Sequence, residues 1–245
     1  SVPALGQRVL IAELSPACES DEETWTAQVD LDALVPGRTH WEVELGFGKG
    51  RYLLRRAEED PEVGFLGIEL VSRYFRMAAR RAERRGLRNV VVSRSEALYF
   101  LSTCMPRRFA RVAHIYFPDP WPKARHNKRR LFDASTVDLV LGSIEIGGTL
   151  CFATDFVEYG AIVHELLERH PSVEVKALRE WPEGPRTNYE AKYVVEGRQI
   201  LRLECKITAE TDEQLLHPGG REQILVGPFR EEEPPEGETP LTQVG

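Results

Sequence analysis

The sequence predicts a doubly wound α/β fold, and three observations carry that prediction. An apolar strand, Trp41 to Leu45, runs into the glycine turn Gly46-Phe47-Gly48-Lys49-Gly50 and then into a helix from Arg51 with Leu53, Leu54 and Ala57 on one face. Units of this kind open nucleotide-cradling sheets. A second strand, Gly64 to Ile68, ends in Glu69, where this architecture stations an acid for a ribose diol. A third apolar run, Val112 to Phe117, stops at Pro118-Asp119-Pro120, because proline cannot donate to a sheet ladder.

At 245 residues the chain suits one sizeable α/β domain with extensions. The expected division is an N-terminal extension over 1–40, a catalytic-size domain over 41–207, and a C-terminal extension over 208–245, disordered from about 231, where Pro, Gly and Glu accumulate. Within the first extension, Val9-Leu10-Ile11 and Trp25 to Val29 read as strands of a small appended sheet or as cover for a cleft. No stretch approaches eighteen apolar residues and no secretory leader is visible, so neither a membrane span nor export is expected and the cytoplasm is the expected location. Cys18, Cys104, Cys151 and Cys205 lie far apart without a C-x-x-C pair, which argues against a metal site. Net charge is -7, but the acids concentrate near the ends and the middle is arginine-rich. A local basic surface can still bind phosphates, because distant acids are screened beyond about 8 Å at physiological salt.

The glycines run G-x-G-x-G, one place short of the dinucleotide fingerprint, so spacing alone leaves the ligand open. Glu44, two residues before Gly46, discriminates better. A carboxylate there would repel a pyrophosphate by about 4 kcal/mol at about 4 Å and an effective dielectric near 20, whereas it would attract a cation. S-adenosylmethionine carries an ammonium and a sulfonium, and it is favoured over NAD on that ground. Ser72 is expected to cap the next helix, whose core stripe is Phe75, Ala78, Ala79 and Ala82 and whose other faces carry Arg73, Arg76, Arg80, Arg81, Arg84 and Arg85 up to Gly86. So many arginines suggest an RNA-facing helix. Val90 to Val92 reads as the third strand, followed by Glu96 as a candidate cofactor contact.

The stretch His114 to Arg130 holds the densest chemistry. Asp119 stands on a stiff edge between two prolines, Trp121 offers a flat face, and Lys123, Arg125, His126, Asn127, Lys128, Arg129 and Arg130 supply donors suited to phosphate or base edges. Singly these read as a turn, a core residue and a solvated face; together at one strand end they read as a nucleobase pocket with a backbone clamp. Downstream, Leu131 to Leu141 is expected as a helix, Gly147-Gly148 as a turn into a strand over Thr149 to Thr154, and Asp155 as a second strand-end carboxylate. Ile162, Val163, Leu166 and Leu167 mark a helix's buried side, Trp181 to Tyr189 a loop, and Ile200 to Cys205 a late strand.

With these pieces placed, the chain resembles the bacterial-type tRNA (guanine-N7)-methyltransferases. The likeness rests on Glu44 to Gly50, Gly67-Ile68-Glu69, Phe117-Pro118-Asp119-Pro120-Trp121 with its basic sequel, Thr154-Asp155, and Thr187-Asn188-Tyr189-Glu190, in the family's order. It implies a Rossmann-like class I methyltransferase fold, a mostly parallel seven-stranded sheet with helices on both faces and an antiparallel last strand. It further implies S-adenosylmethionine as cofactor, tRNA as partner, and methylation of guanosine 46 in the variable loop. By the same resemblance Asp119 would be catalytic, and Glu44, Gly46, Gly48, Gly50, Glu69, Glu96 and Asp119 would bind the cofactor. Lys123, Arg125, His126, Arg129, Asp155, Thr187, Asn188, Tyr189 and Glu190 would hold the substrate. The family usually carries Asp where Glu96 stands. Alternatives are a class I methyltransferase acting on another base position or on protein, an NAD-dependent oxidoreductase, and an inactive RNA-binding relative.

Overall fold

A computed structural model describes residues 10–12, 29–119 and 131–211. Eight strands form one sheet: β1 (Leu10–Ala12), β2 (Trp41–Leu45), β3 (Gly64–Ile68), β4 (Val90–Ser93), β5 (Ala110–Tyr116), β6 (Ile144–Thr154), β7 (Val173–Ala177) and β8 (Leu201–Ile207). Their order across the sheet is β1-β4-β3-β2-β5-β6-β8-β7, parallel except that β8 runs against both of its neighbours. Seven of these, β2 to β8, are the expected mostly parallel sheet with its antiparallel last strand. Leu10–Ala12 joins the main sheet as an edge strand beside β4 instead of forming a separate small sheet. Order reverses between β2 and β5, and in an open α/β sheet ligands bind beyond the carboxyl ends of strands at such a point.

Side-chain alternation along the strands sends Val43 and Leu45 to one face and Glu42 and Glu44 to the other. The first face packs Leu66, Ile68, Val91, Ile115, Leu150 and Phe152 against helices α1 (Leu31–Leu34), α4 (Ala97–Thr103), α5 (Val137–Gly142) and α6 (Val157–Glu168). The second packs Phe65, Val90 and Val92 against α2 (Arg51–Glu59) and α3 (Ser72–Arg84). A last helix, α7 (Asn188–Val195), precedes β8.

Four local expectations change. Val71, not Ser72, occupies the cap of α3, and the N–H of Val71 donates to Glu69 Oε1 at 2.8 Å. The helix expected from Leu131 begins at Val137, because Asp133 and Thr136 bind the local backbone: Asp133 accepts from Ser135 N and Thr136 Oγ1 donates to Leu131 O. Gly147-Gly148 does not separate two elements. β6 is continuous from Ile144, with a register shift opposite Ala110 and Val112, and Gly147 has φ +83°. On α6, Tyr159, Gly160, Val163 and Leu167 face inward while Ile162 is 47% exposed, since it lies about 100° round from Val163.

Candidate active site

The glycine loop owes its shape to backbone angles a side chain resists. Gly46 and Gly48 have φ of +75° and +53°. The N–H of Gly48 donates to Glu69 Oε2 at 2.7 Å, so Glu69 straps the loop to the end of β3 with one oxygen and holds the start of α3 with the other. Beneath the loop, Gly67 admits α2: a Cβ there would stand 2.4 Å from Leu53 Cδ2 and 2.6 Å from Phe47 Cδ1.

Glu44 lies under the first turn of α2, hydrogen-bonded to the Leu53 backbone and 3% exposed. Among the described residues its Oε2 has no hydrogen-bond partner. Burial pushes its carboxyl up to about 8, with Glu69 adding and His114, Leu53 and Arg186 opposing. A buried carboxyl with an unused acceptor fits the ammonium of an amino-acid-bearing ligand and does not fit a pyrophosphate. Ser95, after β4, also has a buried hydroxyl without a partner among the described residues. With Glu69 at the end of β3, the acceptors present suit S-adenosylmethionine. Glu96 is the N-cap of α4: its oxygens accept from Leu98 N at 3.1 Å and Tyr99 N at 2.7 Å, so it shapes that edge while holding its own helix.

Asp119 stands on the rim beyond β5, exposed and close enough to Glu69 and Tyr189 for its charge to act on both. Desolvation by its surroundings raises its carboxyl. The turn that delivers it is strained: Phe117, a bulky residue just before proline, has φ +53°. Two contacts hold it there, the bond from Phe117 N to Ala153 O at 2.7 Å and the ring contact with Tyr193 at 5.5 Å. A strained residue held by its neighbours is a recurrent way of aiming an adjacent functional group. Trp121, Lys123, Arg125, His126 and Arg129 lie outside the described residues.

The segment 186–190 closes the rim. Thr187 is the N-cap of α7 and accepts from Glu190 N at 3.0 Å; Glu190, 0% exposed, accepts from Arg186 N at 2.8 Å and pairs with Arg202 at 2.6 Å. Asn188 Oδ1 accepts from Arg51 at 2.8 Å, linking the starts of α7 and α2. Tyr189 is half-exposed and hydrogen-bonds Tyr74 of α3. Asp155, at the end of β6, pairs with Arg198 at 3.1 Å, and the Arg198 guanidinium covers Tyr193. Thr187-x-x-Glu190 is a helix-capping signature, so the start of α7 was readable where a loop is expected.

A polar network on the same sheet face was not expected. His114 Nε2 meets Glu42 Oε2 and His114 Nδ1 meets Tyr116 Oη, each at 2.9 Å, and Arg186 Nη1 donates to Tyr116 Oη at 2.6 Å. Burial disfavours the His114 imidazolium, but hydrogen bonds to Cys151 and Glu42 outweigh it and lift the group to about 9. A signal existed: two glutamates at i and i+2 of a central parallel strand need partners, and His114 is the polar member of the neighbouring run.

This sheet order, glycine loop and row of acids define a class I methyltransferase. The solved 16S rRNA methyltransferase KamB shares the fold at a TM-score of 0.52 and 13% identity, covering 73% of this chain and 92% of that one. Antibiotic-resistance methyltransferase Kmr does so at 0.50 and 18%, covering 74% and 93%. A family model described as "Putative methyltransferase" matches residues 38–203. The tRNA (guanine-N(7)-)-methyltransferase of Leifsonia xyli subsp. xyli is 38% identical over 209 residues, 82% of this chain and 89% of its own. That of Nitrosococcus oceani is 33% identical over 187 residues, 76% and 79%. The chain belongs to the tRNA (guanine-N7)-methyltransferase family.

Proposed function

We propose that the protein methylates N7 of guanosine 46 in the variable loop of tRNA, with S-adenosylmethionine as methyl donor, in the cytoplasm. The observation that carries the reading is Asp119, held on the rim beside the Glu69 cradle by the strained Phe117 turn. S-adenosylmethionine supplies an electrophilic methyl group on a sulfonium. Guanine N7 keeps its lone pair at neutral pH, so the protein need not remove a proton before transfer. Its task is orientation and charge. Asp119 accepts from the guanine amino and ring N–H groups and faces the positive charge that the purine gains. Glu44 receives the donor's ammonium and Glu69 its ribose diol.

Tyr189 and Asp155 border the base, Trp121 offers a stacking face for a base swung out of the tRNA, and Lys123, Arg125, His126 and Arg129 take the backbone phosphates. Thr187, Asn188 and Glu190 act chiefly by setting the loop that presents Tyr189. The test is incubation with unmodified tRNA and methyl-labelled donor, followed by nucleoside identification. The expected product is 7-methylguanosine, absent from a transcript with adenosine at position 46. Asp119→Asn should lower kcat by about 10²–10³ while donor binding stays within about threefold. Label in another nucleoside, or full activity of Asp119→Asn, would overturn the reading.

A further inference from the structure

Between Ser72 and Arg88 the chain carries seven arginines and one glutamate, in a protein whose net charge is -7. At 100° per residue, Arg73, Arg76, Arg80 and Arg84 fall within an arc of about 80° on α3, opposite the buried Phe75, Ala78, Ala79 and Ala82. All four are exposed. The stripe extends about 16 Å along the helix, in steps of one turn. Arg76, Arg80 and Arg84 have no acidic partner among the described residues. Arg81, by contrast, donates to Lys49 O, and Arg85 pairs with Glu58.

A face selected only for solubility would be arranged differently. Arg73 sits in the first turn, where the helix dipole disfavours cations, and that turn has no acid. Arg76 to Arg80 and Arg80 to Arg84 are like-charge i,i+4 pairs, which oppose helix formation. Except at Arg84, which the dipole at the last turn favours, the stripe therefore works against the helix that displays it. It is also continuous with the site: Arg73 Nη2 donates to Tyr74 Oη at 3.1 Å, Tyr74 hydrogen-bonds Tyr189, and Tyr189 feels the charge of Asp119.

From this we infer that the outer face of α3 is a docking track for the sugar-phosphate backbone of the tRNA, outside the methyl-transfer pocket. The inference rests on tRNA being the substrate. Guanidinium groups suit phosphate oxygens, and a row spaced by helical turns follows a strand of phosphates without reading bases.

The experiment is tRNA binding and turnover by the full chain as a function of salt, in parent protein and in Arg76→Gln/Arg80→Gln/Arg84→Gln. Each lost phosphate contact removes about 0.7–0.9 from the slope of log affinity on log salt. Raising salt from about 50 to 200 mM should therefore weaken the variant about 20- to 40-fold less than the parent. KM for tRNA should rise while kcat and donor affinity hold, donor affinity also reporting that the variant is folded. Arg76→Lys/Arg80→Lys/Arg84→Lys should keep the parent slope. Arg111→Gln/Arg169→Gln/Lys176→Gln, an equal charge change on exposed sites elsewhere, should keep it too. An unchanged slope in the α3 glutamine variant, or an equal change in both glutamine variants, would overturn the track. Turnover by the parent tests the substrate separately.

Discussion

On the proposed function, Glu44 is the residue whose protonation responds most directly to donor binding. Its carboxyl is raised from the ordinary range to about 8, so the folded apoprotein holds a proton that the unfolded chain releases near 4.5. The stability this contributes is full below about 4.5 and is lost as pH rises through about 8. His114, lifted from 6.5 to about 9, acts in the same direction over a higher window. The raised carboxyls of Glu69, Glu96 and Asp119 contribute equally to the parent and to Glu44→Gln, so the difference between the two proteins over pH 4.5 to 6.5 reports Glu44. In Glu44→Gln the thermal midpoint of the apoprotein should decline less with pH across that interval than in the parent. Donor affinity in the parent should rise towards pH 8, as the carboxylate proposed to meet the ammonium forms, and should be weaker and flatter in the variant. Parallel melting profiles for the two proteins would show that Glu44 is not the buried proton.

Among the elements, the contact between β3 and α2 is the tightest near the site. Gly67→Ala would drive a methyl into Leu53 and Phe47, the residues that seat the helix and the glycine loop. Overpacking of this kind costs about 1–3 kcal/mol, which for a domain of this size lowers the melting temperature by roughly 2–12 °C. Donor affinity should fall with it, because Phe47 belongs to the loop; a melting temperature equal to the parent's would show that the loop relaxes freely. The elements near this contact were legible in sequence because each obeys a local rule: Leu53, Leu54 and Ala57 keep helical spacing, and Gly86 stops α3 with φ +65°. The start of α5 was not legible. Asp133, Ser135 and Thr136 compete for the backbone through bonds that apolar periodicity does not register.

Over the molecule as a whole, the rim at the start of α7 is tied to β8 by a buried ion pair. Glu190 of α7 and Arg202 of β8 meet at 2.6 Å with almost no exposure, and Arg202 also donates to Arg179 O. Glu190→Gln would leave the guanidinium buried without its counter-charge, at about 3–5 kcal/mol, or roughly 6–20 °C in melting temperature. Glu190→Gln/Arg202→Met, which removes both charges, should recover most of that loss. If the double variant melts no higher than the single, the pair is not the link between α7 and the sheet.

The sequence by itself determined the strand ends and their acids: Glu44 and Asp119 follow from where glycine and proline stop a strand, and Glu69 and Asp155 from the apolar runs that they end. It determined the arginine stripe as well, because helical spacing is a property of the local chain. Only the tertiary structure decided that Glu190 is buried on Arg202, that Glu96 caps its own helix, and that Glu42, His114, Tyr116 and Arg186 form one network. The reason is physical. Spacing along a chain records which face a side chain occupies, but a buried charge is defined by its partner. Glu42 meets His114 and Tyr116 meets Arg186 across about seventy residues that only folding brings within hydrogen-bond reach, and Glu96 turns to its own helix because its backbone holds it at the cap.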